Sequence, residues 1–420
     1  MIKHLLKQIW ALRGKNIWII LELFLVFIIL WYIVDFFSVF GITATTPTGT
    51  DITNVYRVIY ATNKPDNPKY ISYEADSEEP GRNLLRMVEY LKTRPEVESV
   101  CIGQWYYPYC TSNTGIGYFR DSLKTSVTTL TVSPEYFSMF NVAPINGTDP
   151  EVLAKAIQRE RSVILSKKAG EDLFKEASAT GQFIMNMRDS SQVYVSGVTV
   201  EMKTHEFSRP RSFALLLFDE NSLLKQKEDQ IRLSTDICIK IKPGVSKQGF
   251  PARFKDEIKQ SLTIGNYFLA DIVPMTEQRE SFFKLNEITS TLNYRIGIGI
   301  FFLVNVFLGV LGTFWLRIEK RKSEIGLRMS LGSTKAKVIS HMLTESLCML
   351  GIASIPALLI CINLAIMGFL STQYMDLTVV RFLTTTLITY ALFIIVIMLS
   401  TLYPALRSAN IQPAEALQHE

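Results

Sequence analysis

The sequence predicts an α-helical membrane protein with four transmembrane helices, one followed much later by three, and a large α+β extracytoplasmic domain. Three observations carry this prediction. Four long apolar runs stand out from a 420-residue chain that is already 48% hydrophobic and only 20% charged. The stretch between the first two runs has the mixed composition of a folded domain. The basic residues that flank the runs gather on one side.

The runs are clean. Between Asn16 and Phe40 only Glu22 and Asp35 are charged, and Ile296–Leu316, Ser346–Tyr374 and Phe382–Leu406 carry no charge at all. Crossing a ~30 Å hydrocarbon core takes about 20 apolar residues, so each run is long enough. The predicted spans are 17–40, 294–317, 343–371 and 382–404. The first reads as a signal-anchor, because its apolar run is too long for a secretory signal and no small-x-small cleavage site follows it. Lys3, Lys7, Arg13 and Lys15 precede it. Arg317, Lys320, Arg321, Lys322, Arg328, Lys335 and Lys337 stand between spans two and three, and Arg407 follows span four. The short loop 372–381 offers only Arg381. The positive-inside rule then puts 1–16, 318–342 and 405–420 in the cytoplasm, with both termini inside. The net charge of +5 follows from these flanks and needs no nucleic acid to explain it.

The insert, 41–293, is therefore expected outside. "NVYRVIYA" (54–61) alternates like a strand. "GRNLLRMVEYLKTRPEVESV" (81–100) sets Leu84, Leu85, Val88 and Leu91 on one helix face and stops at Pro95. The order returns with strand 236–244, helix 249–262 and strand 267–275. Two such strand–helix–strand units predict a compact α/β lobe made from the two ends of the insert. A strand-rich block between them, 134–214, reads as a second lobe inserted into the first.

Chemistry is harder to find. No phosphate-cradling G-x-x-x-x-G-K-[ST] loop and no G-x-S-x-G elbow occurs. His205-Glu206 lacks the second histidine one helical turn on, and His4, His341 and His419 are scattered. Neither a catalytic site, a metal site nor a bound cofactor is expected. Cys101 and Cys110 stand close enough in sequence to pair across a turn in an oxidising compartment; small buried thiols fit equally well. Glu22, Asp35 and Glu345 are ionisable residues near span ends, which favours structural roles over a transport pathway.

Between spans two and three, "LRIEKRKSEIGLRMSL" reads as span two running on beyond the membrane. Gly332 breaks that helix, and Ser333 or Thr334 caps the next. The result is a helical hairpin with Ile325, Leu327, Met329 and Leu331 exposed among cations. An apolar stripe rimmed by charge marks a protein interface. A helix lying on anionic lipid calls for a broader apolar face with more aromatics.

"KRKSEIGLRMSLGSTKAKVISHMLTESLCMLGI" closely resembles the E-I-G-x-R-x-x-x-G-[AS] segment and following helix of MacB/FtsX-type ABC transporter permeases. "YPALRSANIQPAEALQHE" (403–420) resembles that family's closing phrase. "TVSPEYFSMFNVAPINGTDP" (131–150) and "SVILSKKAGEDLF" (162–174) resemble its periplasmic core domain. The stretch 111–130 matches no family phrase.

The resemblance implies a porter-like α/β lobe with an inserted strand-rich lobe, in an inner-membrane protein whose large domain is periplasmic. It implies a dimer, either of this chain or with a paralogous permease, and a separate ABC ATP-binding subunit carrying ATP and Mg. A periplasmic adaptor and outer-membrane channel are further implied partners, with membrane lipid around the spans. By position, Glu324, Ile325, Gly326, Arg328 and Gly332 belong to the ATPase-coupling element, with Leu327, Met329 and Leu331 as its variable apolar positions. ATP-driven motion of the external domain (mechanotransmission) is the implied mechanism, serving efflux or export. Regulation of a cell-wall hydrolase or sensor, and lipoprotein release, use the same architecture. MacB fuses its ATPase ahead of the first span; only about fifteen residues stand there in this sequence, so a separate ATPase chain is expected.

Overall fold

The computed structural model describes residues 7, 11, 13–74, 76–175, 179–372 and 374–409. Lys3, His4, His419 and the 410–420 part of the closing phrase lie outside the described residues. The chain divides into two units, 45–289, and 1–44 together with 290–420. Its elements run α1 (Arg13–Thr45), β1 (Val55–Thr62), α2 (Glu79–Lys92), β2 (Val97–Gln104), β3 (Thr114–Arg120), β4 (Leu123–Val132), β5 (Ser162–Ser166) and α3 (Lys167–Phe174). They continue with β6 (Phe183–Asn186), β7 (Gln192–Thr199), β8 (Phe213–Leu217), β9 (Thr235–Ile241), α4 (Phe250–Ile258), β10 (Thr263–Ile264), β11 (Tyr267–Pro274) and α5 (Met275–Leu285). The last four are α6 (Ile288–Glu319), α7 (Lys322–Ser330), α8 (Lys335–Ile366) and α9 (Val379–Ala409). Short helical turns stand between some of these.

In the 45–289 unit, β1–α2–β2 and β9–α4–β11 form the α/β lobe. Its strands lie in the order β11-β1-β9-β2, and every neighbouring pair is antiparallel. The helix pattern explains why α2 packs here: Leu84, Met87, Val88 and Leu91 recur along one face and are all buried. They meet Val100, Ile102, Ile237 and Ile239 from the sheet, with Phe250, Phe254 and Ile258 of α4 in the same core. Each such side chain contributes about 1.5–3 kcal/mol when fully buried.

The strand-rich lobe begins earlier than the expected 134. β4 pairs with β3, β3 with β6, β6 with β7, β7 with β5, β5 with β8, and β8 returns to β4 in parallel. This closes a six-stranded ring. The stretch 111–130, which matched no family phrase, supplies β3 and most of β4, and the ring cannot close without them. Its hairpin turns at Asp121, whose φ is 53°. Inside the ring, Tyr118, Val127, Val163, Leu165, Val195 and Val198 pack against Ala169 and Leu173 of α3. Ser166 starts α3 by accepting a hydrogen bond from the Ala169 amide.

The ring and the α/β lobe share one short ladder, in which Gly103 pairs with Val132 and Gln104 with Thr131. A Cβ on Gly103 would run into the Thr131 carbonyl and the Tyr106 ring. Cys101 and Cys110 are free thiols, so the pairing left open from the sequence is not made. Cys101 faces the core from mid-strand, in register with Cys238 of β9, and the Ser133 hydroxyl donates to it at 3.5 Å. Burial pushes its thiol up to about 12. Cys110 lies beyond the turn that follows β2 and is half-buried.

In the other unit, α1, α6, α8 and α9 are each long and apolar enough to cross a membrane. Leu23, Phe27, Trp31, Val310, Phe314, Met349, Phe393 and Ile397 form the core between them. Polar ties cross the same core. Thr313 donates to Glu22 at 2.7 Å, Trp31 Nε1 to Thr386 at 3.0 Å, and Tyr390 to Ser354 at 2.7 Å. The tightest joins α1 to α9: Arg381 donates to Asp35 through Nε at 2.9 Å and Nη2 at 2.6 Å, and Thr385 donates to the same carboxylate at 3.2 Å. Both charged residues are only 4% exposed. An ion pair at this depth persists because geometry and extra hydrogen bonds satisfy it on all sides.

Candidate partner-docking hairpin

The hairpin between spans two and three differs from the expected continuous helix. α6 stops at Glu319, Lys320–Arg321 make a turn, and α7 starts afresh at Lys322. The Arg321 amide bonds back to Ile318, and the Ile325 amide to Arg321, both at 3.0 Å. At the other end Gly332 takes φ +91° with open space around it. The amides of Gly332 and Ser333 bond back to the carbonyls of Met329 and Arg328, closing α7 in the way a left-handed glycine permits. Thr334 then caps α8 by accepting from the Lys337 amide.

Two sets of contacts seat α7. Ile325 is 4% exposed and packs with Ile318 of α6 and Val338 and Met342 of α8, with Met329 at the margin. Its expected exposure is thus corrected: it faces inward because α7 folds back after the turn. The second set is ionic. Glu345 of α8, 3% exposed, lies 2.7 Å from Arg317 of α6 and 2.7 Å from Arg321 of the turn. Arg321 also reaches Glu324 at 2.8 Å, and Glu324 takes Arg328 at 2.6 Å. Burial works against the Glu324 carboxylate, but the hydrogen bond and charge of Arg321, with Arg328 behind it, hold its pKa below the ordinary value.

The residues singled out in the sequence therefore part into a foundation and a face. Ile325 and Gly326 are buried, Glu324, Arg328 and Met329 are half-buried, and Leu327, Leu331 and Gly332 are exposed. Arg328 is pinned to Glu324 and is not a free donor. Leu327 and Leu331, one helical turn apart, are 52% and 79% exposed, and the exposed Lys335 and Lys337 follow them. The sequence reading missed the anchors Arg317 and Arg321, and it noted Glu345 without its partners. Their only sequence signal is opposite charge on facing helix ends.

Residues 36–257 match the MacB-like periplasmic core domain, and residues 296–413 match the FtsX-like permease C-terminal domain. The chain belongs to the MacB/FtsX family of permeases. Among curated proteins no match is found. The periplasmic region of MacB from Actinobacillus actinomycetemcomitans is similar over 56% of this chain and 94% of its own, at 12% identity and a TM-score of 0.35. The extracellular domain of the noncanonic ABC-type transporter YknZ from Gram-positive bacteria is similar over 51% of this chain and 99% of its own, at 16% identity and a TM-score of 0.33.

As a MacB/FtsX-type permease with four apolar helices, the chain is an inner-membrane protein with an extracytoplasmic domain. Membership in the family implies an ABC ATP-binding partner. The E-I-G-x-R phrase of the permease, Glu324 to Arg328, lies on α7.

Proposed function

We propose that this permease couples ATP hydrolysis on a separate ATP-binding chain, which holds the ATP and Mg, to movement of its periplasmic domain, and that α7 is where that chain docks. The N-terminus, the hairpin and the C-terminus then lie in the cytoplasm, and two permease chains, identical or paralogous, work as a pair. Efflux or export of a substrate from the periplasm is the task this arrangement serves, with an adaptor and an outer-membrane channel as its further partners.

The observation that carries the reading is the exposed Leu327–Leu331 pair on a helix tied to spans two and three through Arg321 and Glu345. A docking helix passes on force only when its foundation is rigid, and apolar side chains on a fixed helix present a defined surface. Gly326 is buried, so Gly326→Trp disturbs the foundation as well as any contact. The exposed leucines make a better test. The tagged chain is purified from native membranes in mild detergent and its companions are identified by mass spectrometry. An ABC ATPase is expected to co-purify and to be released by the Leu327→Asp/Leu331→Asp double substitution. A folded double variant that holds the ATPase at the original stoichiometry sinks the proposal.

A further inference from the structure

At the end of the helix bundle opposite the hairpin, a cavity of about 660 Å³ opens between α1, α6 and the α8–α9 connection. That volume falls in the ~300–1,000 Å³ range of ligand sites. Its walls are apolar, with Ile29, Tyr32, Ile298, Phe302 and Phe369 all left exposed. Two arginines line it, and they differ. Arg381 is satisfied by Asp35 and by the carbonyls of Ser371 and Met375. Arg295 stands over the rings of Phe36 and Tyr374, 5.7 Å from each. Among the described residues no carboxylate pairs with it. Ring contacts occupy the face of a guanidinium and leave the N–H groups in its plane able to donate. A half-buried cation near a span end needs acceptors, and a bidentate oxyanion is the best fit.

We propose that this cavity binds an anionic glycerophospholipid, with its phosphate on Arg295 and an acyl chain along Tyr32, Ile298 and Phe302. The combination of a cation that no carboxylate pairs among the described residues with an apolar trough selects for an amphiphile. A second copy of the chain seated about a twofold axis on this face would bring its own Arg295, adding like charge.

The test reconstitutes the full chain in nanodiscs of phosphatidylglycerol and phosphatidylcholine with matched acyl chains. The chain is then extracted in mild detergent, and native mass spectrometry counts the lipid that stays bound. Both lipids carry a phosphodiester, but the charge of phosphatidylcholine's is offset by its own ammonium, so phosphatidylglycerol is expected to be retained about tenfold over phosphatidylcholine, the scale of one charge-assisted contact. Arg295→Gln removes the preference, Arg295→Lys keeps part of it, and Ile298→Trp lowers retention of both lipids by filling the trough. High salt narrows the preference in the unsubstituted chain, which gives a reading that needs no variant to fold. Equal retention of the two lipids, or a preference that survives Arg295→Gln or high salt, overturns the proposal. So does a lipid-free chain that emerges as a dimer and is dissociated by Ile298→Trp.

Discussion

Arg321 Nη1 lies 2.7 Å from Glu345 Oε2, so the turn that begins the hairpin is fastened directly to the third span. Glu345 takes Arg317 on its other oxygen. Replacing Glu345 with Ala takes the carboxylate partner from the largely buried Arg317 and leaves Arg321 with Glu324 alone. The expected cost is about 3–5 kcal/mol, as for one partner removed from a buried pair, read as a fall in thermal midpoint in detergent. A loss below about 1 kcal/mol would class the network with surface ion pairs.

Gly332→Val tests the backbone of the hairpin alone. With φ at +91° and nothing within 4 Å of a built Cβ, any penalty is conformational and not steric crowding from neighbours. About 1 kcal/mol or more is expected, seen as faster exchange of the amides at position 332 and Ser333. Unchanged exchange would mean that a side chain is tolerated in this conformation.

Gly103→Ala tests the ladder that links the ring to the α/β lobe. The added methyl meets the Thr131 carbonyl and the Tyr106 ring, so overpacking of about 1–3 kcal/mol is expected. Chemical denaturation of the full chain, followed by tryptophan emission, checks this. A neutral outcome would show that β2 and β4 can part there.

His205 gives the 45–289 unit a pH dependence. Burial lowers its pKa from 6.5 to about 4; Glu206 opposes this, and Arg211 and Lys203 add to it. Phe207, Phe282 and Phe283 surround the ring. Between those two pH values the unfolded chain binds a proton that the folded chain refuses. Stability is therefore complete above pH 6.5 and declines as pH falls towards about 4. His205→Phe should flatten this part of the curve relative to the unsubstituted chain in paired thermal melts. Parallel curves would refute the assignment.

Much of this architecture is written in short-range patterns. Uncharged runs gave the spans, and the apolar face of 84–91 gave α2 and, through its repeat near 250–258, the α/β lobe. Closure of the ring was not legible, because the β4–β8 pairing joins residues far apart in sequence and alternation alone names no partner. The hairpin phrase was legible as a basic amphipathic segment. Its inward turn at Ile325 was not, because that depends on the break at Lys320–Arg321, which Glu345 helps to hold from a helix further on.

The bond between Asp35 and Arg381 spans 346 residues. At a synthesis rate of ~5–20 residues per second, roughly 20–70 s separate the emergence of the two side chains. Throughout that interval the first helix has an acidic group without its eventual counter-ion. Early in biogenesis it must stay near water or shelter against the insertion machinery, and release into lipid is favoured only once the last helix arrives. Assembly of the bundle thus has a built-in final step. A chain truncated before Arg381 is expected to linger at the insertion site and to be degraded, however intact its extracytoplasmic domain.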